Sequence, residues 1–254
     1  MRKVLLLMMI VVLLSNIYGF CEEPIFHIGD TVKPIDVRVL LDKLSKINTK
    51  KDEFETQADY EARLSHSAKG LDKFFVINIP FNTSSVSYDA ENKRLNFDYN
   101  LVGYIDKSYF ATLKPVQIIV SEKTTKLRSY KASNAYGATT IVDDIRLDTI
   151  IIFDRDKEDN YFQKSPLFSD NSTDYVLSIE SIEPIIAKNL KTRLRSAAVV
   201  KLKSPYYTKK RGLYKDPTRD FPYDISGTDS VIYADINSVL ILDGNKVVSI
   251  IQTR

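Results

Sequence analysis

The hydrophobic and polar positions along this chain change their spacing several times. Val4 to Leu14 is an unbroken apolar run behind the basic pair Arg2-Lys3. It gives way at Ser15-Asn16, and Gly19 and Cys21 are small enough for the last positions before a cleavage site. A basic start, a short apolar core and a small-residue end describe a secretory signal peptide, and the run is shorter than the roughly 20 residues a bilayer span takes. From Pro34 the spacing turns helical, with Ile35, Val39, Leu40, Leu44 and Ile47 on one stripe. A second, short helix is predicted behind Thr56 as N-cap, with Asp59 three residues on, Tyr60 and Leu64 on its buried side and Gly70 as its stop. Glu55 and Arg63 flank it, as surface charges or as an internal tether.

The middle of the chain shifts to strand patterning. Phe74 to Phe81 is rich in aromatic and β-branched residues, and Val86 to Tyr88 and Leu95 to Tyr99 form a predicted hairpin. Further strands are predicted at Val116–Val120, Leu127–Tyr130, Ala138–Ile145, Thr149–Phe153 and Tyr175–Ile179, with Arg146-Leu147-Asp148 as the short link of an antiparallel meander. Ser181 to Leu194 reads as a helix capped by Ser181, with Pro184 in its first turn and Lys191, Arg193 and Arg195 at its C-terminal end. Ala197–Leu202, Val231–Leu242 and Val247–Ile251 read as strands, the last two joined by the tight turn Asp243-Gly244-Asn245. Between them, Ser204 to Ile225, with Pro205, Pro217 and Pro222, reads as a long irregular segment. The pattern predicts an α+β fold dominated by an antiparallel β-sheet, as a sandwich or partial barrel, with two N-terminal helices and one later helix. Its organisation is a signal peptide over 1–21, an N-terminal helical segment over 22–72 and a mainly β domain over 73–254. The roughly 230 residues left after cleavage bury a core without covalent staples.

Charge and cysteine usage narrow the picture. The formal net charge is +3, and removing Arg2 and Lys3 leaves about +1, so no overall field points to nucleic acid. Cys21 is the only cysteine, which excludes an intramolecular disulfide in a compartment that permits them. Phe20 stands where a lipoprotein acylation site carries a small residue, so Cys21 is read as removed or left as a free terminal thiol.

Candidate chemistry is sparse. His27 and His66 are the two histidines, and no HExxH pattern, cysteine pair, GxSxG elbow or phosphate-cradling glycine loop accompanies them. No cofactor, metal or catalytic residue is therefore predicted. The acidic run from Asp154 to Asn160 starts with calcium-loop spacing, but Asp159 stands where a glycine is needed and Ser165 where a glutamate chelates. It reads as a solvated loop. Asn134 to Ala138 reads as a turn or bulge built on Gly137. The stretch that suits a ligand interleaves cations and rings: Tyr206, Tyr207, Lys209, Lys210, Arg211, Tyr214, then Lys215 and Arg219. Such a surface fits an anionic polymer or lipid headgroups through charge and ring stacking, and long loops in compact domains are often binding loops.

Three blocks carry a resemblance: Glu53-Phe54-Glu55-Thr56 with Tyr60 and Arg63-Leu64; Asn134-Ala135-Tyr136-Gly137-Ala138; and Lys215-Asp216-Pro217-Thr218 with Pro222-Tyr223-Asp224-Ile225 and the strand through Asp235 and Leu240. The chain resembles, through these, a loosely defined group of secreted or envelope bacterial proteins without an assigned activity. The resemblance implies an exported, periplasmic or secreted protein and no mechanism. The resulting expectation is a non-catalytic binding or interaction module whose partner is an envelope protein or an anionic envelope polymer. It has no nucleic-acid partner and no transmembrane helix after signal cleavage. The alternatives are a small-molecule or lipid carrier with a pocket in the curled sheet and a carboxylate-dependent hydrolase.

Overall fold

The computed structural model describes residues 24–97, 116–133, 137–154 and 177–252. The signal segment with Cys21, the acidic run after Asp154 and the stretch Asn134–Tyr136 lie outside the described residues.

Two helices come first. In α1 (Val37–Leu44) the side chain of Asp36 accepts from the Arg38 amide, and Val37, Leu40 and Leu44 are buried. The helix starts later than the stripe from Pro34 predicts. Val39 is 55% exposed, and Val37 takes the inward place assigned to it. Ile35 is not helical but bridges Ile77 of the first strand. In α2 (Gln57–Ser67) Thr56 is the N-cap as expected, its side chain accepting from the Asp59 amide. Leu64 is buried, and Gly70 follows at φ +85°. Glu55 and Arg63 are a tether: the guanidinium donates to both Glu55 oxygens, at 2.8 and 3.0 Å, and to the carbonyls of Asn48 and Lys50. One side chain thus ties the end of the α1–α2 connection to the middle of α2.

Among the described residues nine strands follow: β1 (Phe74–Ile79), β2 (Val86–Asp89), β3 (Arg94–Phe97), β4 (Val116–Ser133), β5 (Thr139–Asp154), β6 (Leu177–Ile179), β7 (Leu194–Arg211), β8 (Tyr223–Asp243) and β9 (Lys246–Gln252). The third helix, α3 (Pro184–Arg193), leads straight into β7. A six-stranded sheet has the order β1-β7-β8-β5-β4, with β9 also on β8, and β2-β3-β6 form a small second sheet. The six-stranded sheet is mixed, because β5 and β8 run parallel while its other pairs are antiparallel. The α+β class with mostly strands and three helices is as the sequence predicts, and the large sheet curls without closing.

Two predicted breaks are not breaks, and a third is shorter than predicted. Arg146-Leu147-Asp148 is no turn; β5 runs through it, held on one side by β4 and on the other by β8. The two predicted segments before it are one strand, β4, whose interruptions are register shifts at Ile119/Ser121 and Lys126/Arg128. The segment Ser204–Ile225 is irregular only over 212–222: β7 continues to Arg211 after a wide irregularity between Leu202 and Tyr207, and β8 begins at Tyr223. A proline is tolerated at such a bulge because the ladder needs no donor there. Ser181 does not cap α3. It sits at φ +56°, and the N-cap position belongs to Glu183, whose side chain makes no cap bond.

Core residues occupy the end of the sheet where all six strands meet. On one face Ile77, Val200, Ile232 and Ile236 pack with Leu40, Leu44 and Leu64 of the first helices, with Leu190 of α3 and with Phe97 of the small sheet. Each such fully buried large side chain contributes about 1.5–3 kcal/mol. On the other face Leu240, Leu242 and Val247 pack with Val32 and Phe26 of the lead segment.

Candidate functional site

The large sheet has a second half. Beyond the row Ile118–Ile152–Ile232–Tyr207, strands β4, β5, β8 and β7 continue side by side as a four-stranded extension. Paired residues point to the same face, so the register lays out that face row by row. The first row past the core is Ser121–Ile150–Ser230–Lys209, and the next is Lys123–Asp148–Thr228–Arg211. The antiparallel bridge between Lys215 and Ile225 carries the fourth column onward, placing Tyr214 opposite Ser226 and Asp216 opposite Asp224. The third row is then Thr125–Arg146–Ser226–Tyr214, and the fourth is Arg128–Asp144–Asp224–Asp216. The face that is apolar at Ile152 and Ile232 is polar within two rows. None of the side chains in these four rows is buried.

Local bonds hold this platform in shape. Arg128 pairs with Asp144 at 3.2 Å and stacks over Tyr130. Tyr130 donates its hydroxyl to Asp224 at 3.0 Å, spanning from β4 to β8. Arg146 pairs with Asp148 at 2.7 Å. Among the described residues the second Asp148 oxygen, Oδ1, has no hydrogen-bond partner, and it is shielded from solvent. Arg211 lies 4.3 Å from the ring centre of Tyr214. Two phenols feel carboxylates here: hydrogen bonding to Asp224 raises the Tyr130 pKa, and hydrogen bonding to Asp216, with Asp224 adding to it, raises that of Tyr214.

The opposite face of the extension has a different character. Leu147, Ile145 and Ile225 run along its centre, with Lys126 beside Ile145 and Lys215 beside Ile225. Lys126 and then Ser129 hold the Asp143 carboxyl below its ordinary pKa. Thr149 donates to Asp229 at 2.5 Å.

The residues that the sequence groups as one basic-aromatic loop are thus distributed over a sheet. Tyr206 and Tyr207 are half-buried against the core, and burial raises the Tyr206 pKa. Strand alternation sends Lys209 and Arg211 to the polar platform and Lys210 to the other face, opposite Asp229. Tyr214 joins Arg211 on the platform. Lys215 lies on the far side, 3.4 Å from the ring centre of Phe221, and Arg219 is exposed in the turn closed by Thr218 and Phe221. Sequence reasoning missed Tyr130, Asp144, Arg146, Asp148 and Asp224. The only signal for them is the recurrence of polar side chains at alternate positions in 121–130, 144–148 and 224–230, which a pattern search for buried faces discards.

Elsewhere, His27 bonds through its amide to Asp30, and His66 lies in the last turn of α2; both are exposed. Among the described residues no group of three or more His, Cys, Asp or Glu side chains is placed to hold a metal ion. Among the same residues no helix is long and apolar enough to cross a membrane. Comparison of the chain with protein-family models, with characterised proteins and with solved structures finds no match.

Proposed function

We propose that this chain is an exported, non-catalytic binding module of the bacterial envelope that engages its partner through the four-stranded extension. The observation that carries this reading is the change of character along one sheet face. Up to Ile152 and Ile232 the face is filled by the helices and the small sheet; beyond them it keeps its strand order but presents charged, hydroxyl and phenol groups to solvent. Extending four strands past the core orders many residues at about 1–2 kcal/mol of backbone entropy each with little apolar burial to offset it, Val142 near its far end being a buried exception. A contact surface gives that extension a use. The same observation favours a module over a carrier, because the curled interior is occupied by Leu40, Leu44, Leu64 and Phe97.

The test is co-sedimentation of the purified protein with washed envelope fragments of its host. The protein is expected in the pellet, and the double variant Arg146→Ala/Arg211→Ala in the supernatant. If the protein stays in solution, or if the variant pellets as the parent does, the reading fails.

A further inference from the structure

We infer that the polar platform binds a hydroxyl-rich, uncharged glycan chain laid across β4, β5, β8 and the Tyr214 column. The inference rests on the binding-module reading and names its ligand class.

Three properties of the face select this chemistry. The first is shape. Three strand spacings of about 4.8 Å make it about 14 Å wide, and four rows of alternate residues make it about 20 Å long. It is an open sheet surface, suited to a chain lying on it and without an enclosing wall.

The second is charge. Lys123, Arg128, Arg146, Lys209 and Arg211 are nearly matched by Asp144, Asp148, Asp216 and Asp224. Arg128 and Arg146 are already neutralised within the plane, by Asp144 and Asp148. A polyanion site is a field of one sign, and this face is not one. It also lacks the apolar centre that a protein interface or a lipid surface needs, since Ile150 at the core margin is the single aliphatic side chain in the four rows.

The third is the kind of contact on offer. Carboxylates and guanidinium forks present paired acceptors and paired donors, which match adjacent hydroxyls of a sugar ring in the way they match other two-pronged partners. Ser226, Thr228 and Thr125 add hydroxyls that donate or accept. Tyr214 is half exposed, its hydroxyl is already committed to Asp216 and Arg211 lies over one side of its ring, so what it offers is the opposite ring face. The negative face of an aromatic ring attracts the positive C–H edge of a pyranose as it attracts other positive edges.

The experiment titrates the purified protein with a tetrasaccharide of β-1,4-linked N-acetylglucosamine, and separately with heparin as a polyanion. Binding is read by calorimetry and by the ring-proton signals of Tyr130 and Tyr214. The expected result is tetrasaccharide binding that shifts both rings, depends little on salt and weakens about tenfold in Tyr214→Ala and in Arg146→Ala. Lys131→Ala, on the other face, is expected to bind as the parent does. The ring signals of the parent protein locate the contact without any variant, so a misfolded variant does not decide the outcome. Binding of heparin alone, falling steeply with salt, overturns the glycan inference while leaving the binding-module reading standing. No binding of either probe, with envelope co-sedimentation intact, also overturns it and assigns the surface to another partner. Loss of co-sedimentation-competence for the parent itself removes the broader reading as well. Tetrasaccharide binding that leaves both rings unshifted overturns the placement.

Discussion

Gly227 of β8 and Leu147 of β5 approach so closely that a Cβ on Gly227 would lie 1.8 Å from the Leu147 carbonyl oxygen and 2.7 Å from its carbonyl carbon. Both are backbone atoms at the centre of the extension, so no side chain can swing away. Gly227→Ala is expected to destabilise the protein by about 2 kcal/mol or more, the scale of overpacking a fixed site. Urea denaturation read by circular dichroism measures it. Ser226→Ala, one residue away in the same strand, is the control and is expected within about 0.5 kcal/mol of the parent. A Gly227→Ala protein as stable as the parent would mean that β5 and β8 separate there at little cost.

The Glu55–Arg63 tether predicts a pH dependence. Hydrogen bonding to Arg63 is the main reason the Glu55 pKa lies below its ordinary value. A carboxylate with a depressed native pKa contributes stability that is complete above its unfolded value and is lost as pH falls through the native one. The parent protein is therefore expected to lose stability on acidification below the ordinary glutamate range, and Arg63→Ala to lose less over the same interval. Arg63→Lys is expected to behave like the alanine variant, because an ammonium cannot reach both carboxylate oxygens and two carbonyls in one plane. Thermal melts across the acid range decide it: parallel pH profiles for parent and Arg63→Ala would rule the tether out as their cause.

These two sites mark what the sequence reveals and what it hides. The cap bond of α2 is local chemistry, so Thr56 with Asp59 is readable, and so is the turn at Gly244, whereas the starts of α1 and α3 fall later than the pattern predicts. Long strands are not local. In β5 the residues Arg146-Leu147-Asp148 carry no burial period, because none of the three side chains is buried and the strand's continuity there comes from ladders to β4 and β8. Pro205 and the charges around it resemble a loop for the same reason, since a proline at a bulge leaves no mark by which to separate it from one in a connection. The platform was invisible because its members come from four strands, and the parallel pairing of β5 with β8 that aligns Asp144 with Asp224 has no sequence signature.

Ser181 tests the helix-cap reading directly. A capping serine replaced by glycine costs a few tenths of a kcal/mol at most, and replaced by alanine about 1 kcal/mol. Ser181 instead occupies φ +56°, a region that costs a residue with a Cβ about 1–2 kcal/mol. Ser181→Gly is therefore expected to stabilise the protein, by about 0.5–1 kcal/mol, and Ser181→Ala to leave it near the parent. Chemical denaturation of the two variants checks this, and a destabilised glycine variant would restore Ser181 to the role of cap.

Tyr130 and Asp224 supply a test of whether the platform is held as one piece. The hydroxyl of Tyr130 crosses from β4 to β8 to reach the carboxylate, and that bond is the first cause of its raised pKa. An acid whose native pKa is raised contributes stability that is complete below its unfolded value and is lost as pH rises through the native one. Asp224→Asn keeps an acceptor of nearly the same shape and removes the charge. It is expected to bring the Tyr130 titration back toward the ordinary tyrosine value, read from the ring-carbon shift of a labelled tyrosine, and to flatten the alkaline stability loss. Tyr214, which Asp224 also influences, is expected to shift in the same direction by less, because Asp216 is its main partner. Coupled movement of the two phenols on removing one carboxylate would show that β4, β8 and the Tyr214 column share a single electrostatic unit. An unmoved Tyr130 titration would mean that the hydroxyl and carboxylate are apart in solution and that the face is a set of independent side chains.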